Sequence, residues 1–380
     1  MAELLIAAGV GEWRAVWIED GEARELYVER GDTKPPGSRH LGRVLRVVPA
    51  LDAAMVDIGD ERSGFLPLRE VPVGRKPEEG AQLVVEVRRE AWQDKGPRLS
   101  AKLDDLSGPP SPLDPPAQLF PAPGLVSALR LRLAAAPERV TADDSAILGD
   151  LRRVFRDADI ARRDPADWPA DLDALFAAAL APSLALPQGG TVHFDEGRAA
   201  TLIDVDTGTP LGGSSARAAL ATNRHAARLI AQELRRRQIG GSVVIDFVGL
   251  DRRDHREQVL RTLEAALADD PMKPRLHGWT RLGHLELTRP RRQRSLADAM
   301  LEPATRTMQP LALAHEALRR LLHEARANPA ANWRLSASPA VEAALRGRAA
   351  AAVRALEERL GRRLTVVPTA RPEGFDIAPD

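Results

Sequence analysis

Between Leu106 and Gly124 the chain reads LSGPPSPLDPPAQLFPAPG, and seven of the sixteen residues from 108 to 123 are proline. Proline fixes φ and offers no N–H, so neither a helix nor a central strand passes through this stretch. It reads as an extended linker, and the chain must fold as separate units on either side of it. A length of 380 residues agrees, since domains average roughly 150 residues.

Upstream of the linker the pattern is period two. Ala54, Val56 and Ile58 alternate with Met55, Asp57 and Gly59, and Leu83, Val85 and Val87 alternate with Val84, Glu86 and Arg88. Short alternating runs punctuated by glycine predict the strands of a small barrel. The opening MAELLIAAGVGEW has no basic start and carries Glu3, so it reads as a first strand and not an export signal. No apolar run approaches the roughly 18 residues of a membrane span.

Downstream, helices and strands alternate. Helices are expected at Leu125–Ala136, Asp171–Leu180 and Ser215–Gln238, the last stopped by Gly240–Gly241. Asp254 is the expected cap of a helix reaching Leu267, with Val259, Leu263 and Leu267 on one face. Strands are expected at 139–141, Ala200–Asp206, Ser242–Val248, Arg275–Thr280 and His284–Thr288. Residues 311–380 read as a helix to Arg326, a strand in NWRLSAS, one helix from Pro339 to Gly361, and a strand at Leu364–Val367.

The chain has no cysteine, which excludes disulfides, thiolate metal sites and thiol catalysis. A reducing cytoplasmic setting is the expectation. Fifty-four basic residues balance fifty-four acidic ones, which argues against simple coating of a polyanion and leaves room for local patches. Lysine occurs only at 34, 76, 95, 102 and 273. Arginine supplies the other cations and suits bidentate phosphate contacts.

TLIDVDTG (201–208) carries the most chemistry. As a strand it puts Thr201, Ile203 and Val205 on one face, and Leu202, Asp204 and Asp206 on the other. VVIDFVG repeats the device, with Val243, Ile245 and Phe247 opposite Asp246. The helix between them favours a parallel crossover, which would bring both acidic positions to the C-terminal ends of neighbouring strands. Converging carboxylates suit Mg²⁺, which takes oxygen ligands and retains waters. The competing reading is that each Asp caps a turn. Gly212–Gly213–Ser214–Ser215 offers a phosphate cradle or a plain loop. Arg62, Lys95 and Arg98 can follow phosphates. Arg289, Arg291, Arg292 and Arg294 can bind phosphate or keep a surface soluble. Trp92 and Phe65 can stack bases, with barrel packing the alternative for Trp92. The eight histidines show no tight ligand spacing.

Several long segments resemble, in order, the ribonuclease E/G family. LGRVLRVVPALDAAMVDIGDERSGFLPL and DKGPRLS are similar to its S1-type OB-fold. IDVDTG, TNRHAARLIAQELRRRQIGGSVVIDFVGL and HGWTRLGHLELTRPRRQRSL resemble its catalytic domain. PAVEAALRGRAAAAVRALEERLGRRLTVVP resembles its small C-terminal domain. The resemblance implies a multidomain α+β and α/β chain. An RNase H-like region (1–36 and 125–182) would be split by an OB-fold RNA-binding domain (37–105) and the linker (106–124). A DNase I-like catalytic domain (183–298) and a small α/β domain (299–380) would follow.

It also implies cleavage of single-stranded RNA to 5′-phosphate and 3′-hydroxyl ends, in RNA processing or decay in the cytoplasm. Asp204 and Asp246, joined by Asp206, would hold Mg²⁺, with Mn²⁺ as substitute; Asp204 and Asp246 would be the catalytic pair. Asp206 stands where the family has a supporting Asn. Met55 and Phe65 fall on the RNA-contacting aromatics, and Lys95 on a phosphate-contacting lysine. The chain departs from the family at Met55 and Asp206, in LADAMLEPATRTMQ where a zinc motif is expected, and in lacking a recognisable 5′-end sensor between Gly124 and Val140. No zinc and no zinc-linked tetramer are therefore expected, leaving a monomer or homodimer. The rival readings are an RNA-binding protein with little or no cleavage, and a hydrolase of small nucleotides.

Overall fold

The run LLIAA (4–8) near the N-terminus is apolar on both faces, as a central strand requires. It forms β1 (Ala2–Ala8), which pairs antiparallel with β2 (Glu12–Glu19), itself paired with β3 (Glu22–Arg30). The computed structural model describes residues 1–30, 34–72, 74, 76–92, 95–103, 113–120, 125–187, 189–208, 215–302, 307–369 and 374–379.

A barrel interrupts this first sheet. It comprises β4 (Arg39–Val48), β5 (Ala53–Asp57), β6 (Gly64–Pro67), β7 (Gln82–Arg89) and β8 (Arg98–Ser100), and the β5–β4 pairing closes the ring. Val44, Val56, Leu66, Val85, Val87 and Leu99 fill it. A closed five-stranded barrel is compatible with the expected OB-fold. The expected linker needs one correction. Ala117–Phe120 is a strand, β9, pairing antiparallel with β4. AQLF contains no proline, so its N–H groups are free to extend the barrel edge. Residues 104–112 and 121–124 lie outside the described residues.

The chain then returns to the first sheet through α1 (Leu125–Arg132), β10 (Arg139–Ala142), α2 (Leu148–Val154), β11 (Asp159–Arg162) and α3 (Leu172–Leu180). The strand order is β11-β10-β1-β2-β3, with β10 parallel to both β1 and β11. Leu4 and Ile6 pack under α1 and α2, whereas Leu5 packs with Phe176 of α3.

A six-stranded sheet follows, ordered β12-β13-β14-β15-β17-β16. Its elements are β12 (Ser183–Ala185), β13 (Thr191–Glu196), β14 (Thr201–Asp206), α4 (Ser215–Arg236), β15 (Gly241–Asp246), α5 (Arg253–Leu267), β16 (Arg275–Trp279) and β17 (Leu285–Arg289). Ile203, Val205, Val243 and Ile245 pack with Ile230 and Leu234 of α4 and Val259 and Leu263 of α5. Both helices thus cover one face of this sheet.

Two helix ends differ from expectation. α4 is stopped by Gln238, not by the glycines. Gln238 is left-handed (φ 57°), with Ile239 N–H bonded to Leu234 O and Gln238 N–H to Arg235 O. That is a Schellman cap, with the buried Ile239 supplying its apolar contact. Gly240 serves close packing instead: a Cβ there would lie 2.9 Å from Arg291 Cα. For α5 the cap position is Arg252, and Asp254 sits in the first turn, where its charge still favours the helix N-terminus.

The remainder comprises α6 (Leu296–Met300), α7 (Pro310–Ala327), β18 (Trp333–Ala337), α8 (Pro339–Arg346), α9 (Ala350–Leu360), β19 (Thr365–Pro368) and β20 (Phe375–Pro379), with sheet order β19-β18-β20. The single helix expected from Pro339 to Gly361 breaks at Gly347, a poor helix former. β20 was not anticipated.

Buried arginines lock the units together. Arg132 bonds Glu29 of β3 and Glu90 beside β7, and all three are buried. Burial alone would depress its pKa, but the two carboxylates outweigh this and raise it. Arg235 of α4 reaches Glu25 and Glu19 of the first sheet.

Candidate active site

β14 follows strict alternation: Thr201, Ile203 and Val205 are buried, and Leu202, Asp204 and Asp206 are exposed. β15 does the same, with Val243 and Ile245 buried and Asp246 exposed. The strands are parallel neighbours, registered Leu202 to Val244 and Asp204 to Asp246. Adjacent strands lie about 4.8 Å apart, so the two carboxylates stand side by side on the uncovered face. They line a cleft of 460 Å³ with Leu202, Val244, His193 and His284.

Behind this pair the strand end is fixed. Asn223 of α4 is fully buried; its amide donates to Val248 O (2.8 Å) and accepts from Val248 N–H (3.0 Å). Phe247 packs on Trp279 at 5.9 Å between ring centroids. Asp246 is thereby held at the junction of a strand and a pinned loop.

Two histidines join the cleft. His193 of β13 lies in register with Asp204, and Ser183 Oγ is 2.9 Å from its Nδ1. Its Nε2 faces Asp206 Oδ2 at 3.2 Å. A carboxylate only accepts, so Nε2 carries the proton. His284 Nε2 lies 3.7 Å from Asp246 Oδ2. Spacing along the chain hid both residues, which are remote in sequence from the aspartates. Reading TVHFDE as an alternating strand would have turned His193 outward, between buried Val192 and Phe194.

Asp206 shares the face of Asp204 but does not line the cleft. Its Oδ1 accepts from Gly208 N–H at 2.8 Å. That bond, followed by the contact with His193, holds its carboxyl below the usual range. Among the described residues no group of three or more His, Asp or Glu could hold a metal. A two-carboxylate site fits Mg²⁺, which is commonly bound through one or two carboxylates plus waters and substrate phosphate. It does not fit a four-ligand structural zinc centre. Gly212, Gly213 and Ser214 lie outside the described residues.

On the barrel, Phe65 of β6 pairs with Met55 on one side and Arg98 on the other, so the three form a row across β5, β6 and β8. Arg62 and Lys95 are exposed in adjoining loops. Gly96 lets those loops touch, since a Cβ there would lie 2.0 Å from Ser63 O. The structure therefore gathers Phe65, Arg62, Lys95 and Arg98 into one region.

The arginine cluster reads differently from its sequence. Arg289 is buried and bidentate to Asp270 (2.7 and 3.2 Å). Arg291 lies 3.9 Å over the Trp92 ring, and Arg294 Nε bonds Ala91 O. Trp92 Nε1 donates to Asp298 (2.9 Å). Trp92 thus lies outside the apolar filling of the barrel and fastens the barrel to the segment after β17.

A family model described as the ribonuclease E/G family matches residues 160–292, the segment holding Asp204 and Asp246. The chain is 24% identical to ribonuclease G of Escherichia coli (strain K12), over 99% of each protein. That alignment spans 486 positions against 380 residues here, so more than a hundred positions face gaps in this chain. Ribonuclease G of Salmonella typhimurium is 25% identical over the same shares. Ribonuclease E of Synechocystis sp. is 25% identical over 80% of this chain and 59% of its own.

Proposed function

We infer that this chain, a member of the ribonuclease E/G family, is an endoribonuclease that cuts single-stranded RNA at the open face of the six-stranded sheet. The register of Asp204 with Asp246 carries this reading. Two ionised carboxylates side by side repel unless a cation lies between them. A divalent ion such as Mg²⁺, when bound there, supplies a Lewis acid for the phosphoryl oxygen and lowers the pKa of water. The chain's own groups do the rest. Asp204 and Asp246 fix the ion on the exposed face. His284 faces Asp246 and orients it, and His193 walls the cleft opposite, its tautomer set by Asp206.

On the barrel, Phe65 offers a ring to a base, and Arg62, Lys95 and Arg98 offer cations to phosphates. The products would be 5′-phosphate and 3′-hydroxyl ends, and the setting RNA processing or decay. The test is cleavage of an end-labelled single-stranded RNA with and without EDTA, with product ends mapped. EDTA should stop cleavage, and Mg²⁺ or Mn²⁺ should restore it. RNA binding without cleavage in any divalent ion would make the chain an RNA-binding protein on a nuclease scaffold.

A further inference from the structure

Solvent-facing positions of a half-covered sheet are normally polar. Beside the carboxylates this sheet breaks that pattern. Leu202 is 52% exposed and lies in register with Val244, one pleat before Asp204 and Asp246. Pro182, also exposed, lines the same cleft. Exposed apolar side chains scattered singly need no explanation, but these converge beside paired carboxylates.

The spacing suits one occupant. Residues two apart on a strand lie about 6.6 Å from each other, so the apolar step sits one short span from the carboxylates. A nucleotide whose phosphate lies at the carboxylates would place its own sugar and base over Leu202 and Val244. Phe, Trp and Tyr make up only 4% of the chain, and the one of them lining this cleft among the described residues, Phe194, is a buried residue of the core beneath the sheet; the rings of His193 and His284 stand beside the carboxylates. Aliphatic contact is what the step itself offers a base face.

We propose that Leu202, Val244 and Pro182 form a nucleoside subsite for the nucleotide next to the scissile phosphate. This rests on the reading of Asp204 and Asp246 as the cleavage site. Leu202 and Val244 have no donor or acceptor for a base edge, so they hold the nucleoside without reading its identity. They make Leu202 a positioning residue for the strand, independent of the barrel's own contacts.

The test is fluorescence anisotropy of a short labelled oligoribonucleotide with Ca²⁺ in place of Mg²⁺, so that the carboxylates stay neutralised while cutting is slowed, alongside steady-state cleavage in Mg²⁺. Leu202→Ser should weaken binding and raise KM about fivefold, as loss of part of one aliphatic side chain's burial does, and change kcat little. Leu202→Phe should bind at least as tightly as the parent. Because Leu202 is half exposed, neither change threatens folding. Parental binding and KM in Leu202→Ser overturn the subsite. So does a changed molar mass in light scattering with unchanged binding, which would make the apolar step an interface between copies. If Asp204→Asn is inactive while Leu202→Ser behaves as the parent, the subsite falls and the cleavage site stands. If the parent cleaves no RNA, the cleavage reading falls first.

Discussion

The carboxylates at the open sheet face and those at the unit junctions are the same chemical group in opposite states. Glu29 and Glu90 are buried against Arg132, and Glu12 is buried between Arg14 and Arg30. Burial would raise the pKa of Glu12, but Arg30 and Arg14 hold it below the ordinary range. Asp246 is 59% exposed, and His284 Nε2 lies 3.7 Å from its carboxylate. Asp204 is exposed and pairs with no arginine or lysine among the described residues. A buried carboxylate must be matched by a fixed cation, whereas an exposed one can wait for an exchangeable cation. Equal numbers of acids and bases conceal this division of labour.

The comparison breaks first at Arg132. Arg132→Ala leaves Glu29 and Glu90 buried without their cation, and should cost about 3–5 kcal/mol of stability. Denaturant titration measures this; a loss below about 1 kcal/mol would mean the junction is dispensable.

His40 sharpens the contrast through pH. It is fully buried in the barrel with Ser38 Oγ 2.9 Å from its Nε2. Burial, assisted by Lys34, lowers its pKa from 6.5 to about 4. The unfolded chain therefore binds more protons between those values. Its contribution is fully present above pH 6.5 and is lost as pH falls towards 4, by up to about 3 kcal/mol. His40→Gln should flatten that part of a stability–pH curve; an unchanged curve would show that His40 protonates freely in the fold.

The smallest effect is expected at Asp206. An Asn can still accept from Gly208 N–H, so Asp206→Asn should keep cleavage within about threefold, weaken Mg²⁺ affinity modestly and bind RNA slightly better. A Mg²⁺ titration of both proteins decides this. Identical curves would confine Asp206 to its turn and its bond with His193.

Much of the site was legible because a strand's period of two converts sequence directly into faces. IDVD and VVID were enough to put three aspartates outward, and the long intervening helix was enough to make the strands parallel. The histidines were not legible in this way. They come from β13 and from the residue just before β17, and only sheet order brings them beside the aspartates. The arginines after β17 misled because a run of cations looks the same whether it meets phosphate or, like Arg289, a buried Asp270. Within the proline-rich stretch AQLF carries no proline, so its N–H groups could join the barrel edge as a strand, which the surrounding prolines obscured. The end of α4 was misplaced because Gln238, not glycine, took the left-handed position.

The central claim is that the open pair does chemistry and adds little to the fold. Its most direct test is the single-turnover rate of RNA cleavage in Mg²⁺ by Asp204→Asn and Asp246→Asn, each compared with its own melting temperature. Both variants should lose at least about a hundredfold in rate, or about 2.7 kcal/mol of transition-state stabilisation, while melting within a few degrees of the parent. Parental cleavage by either variant, or a collapse in melting temperature that accounts for the lost rate, would contradict the account.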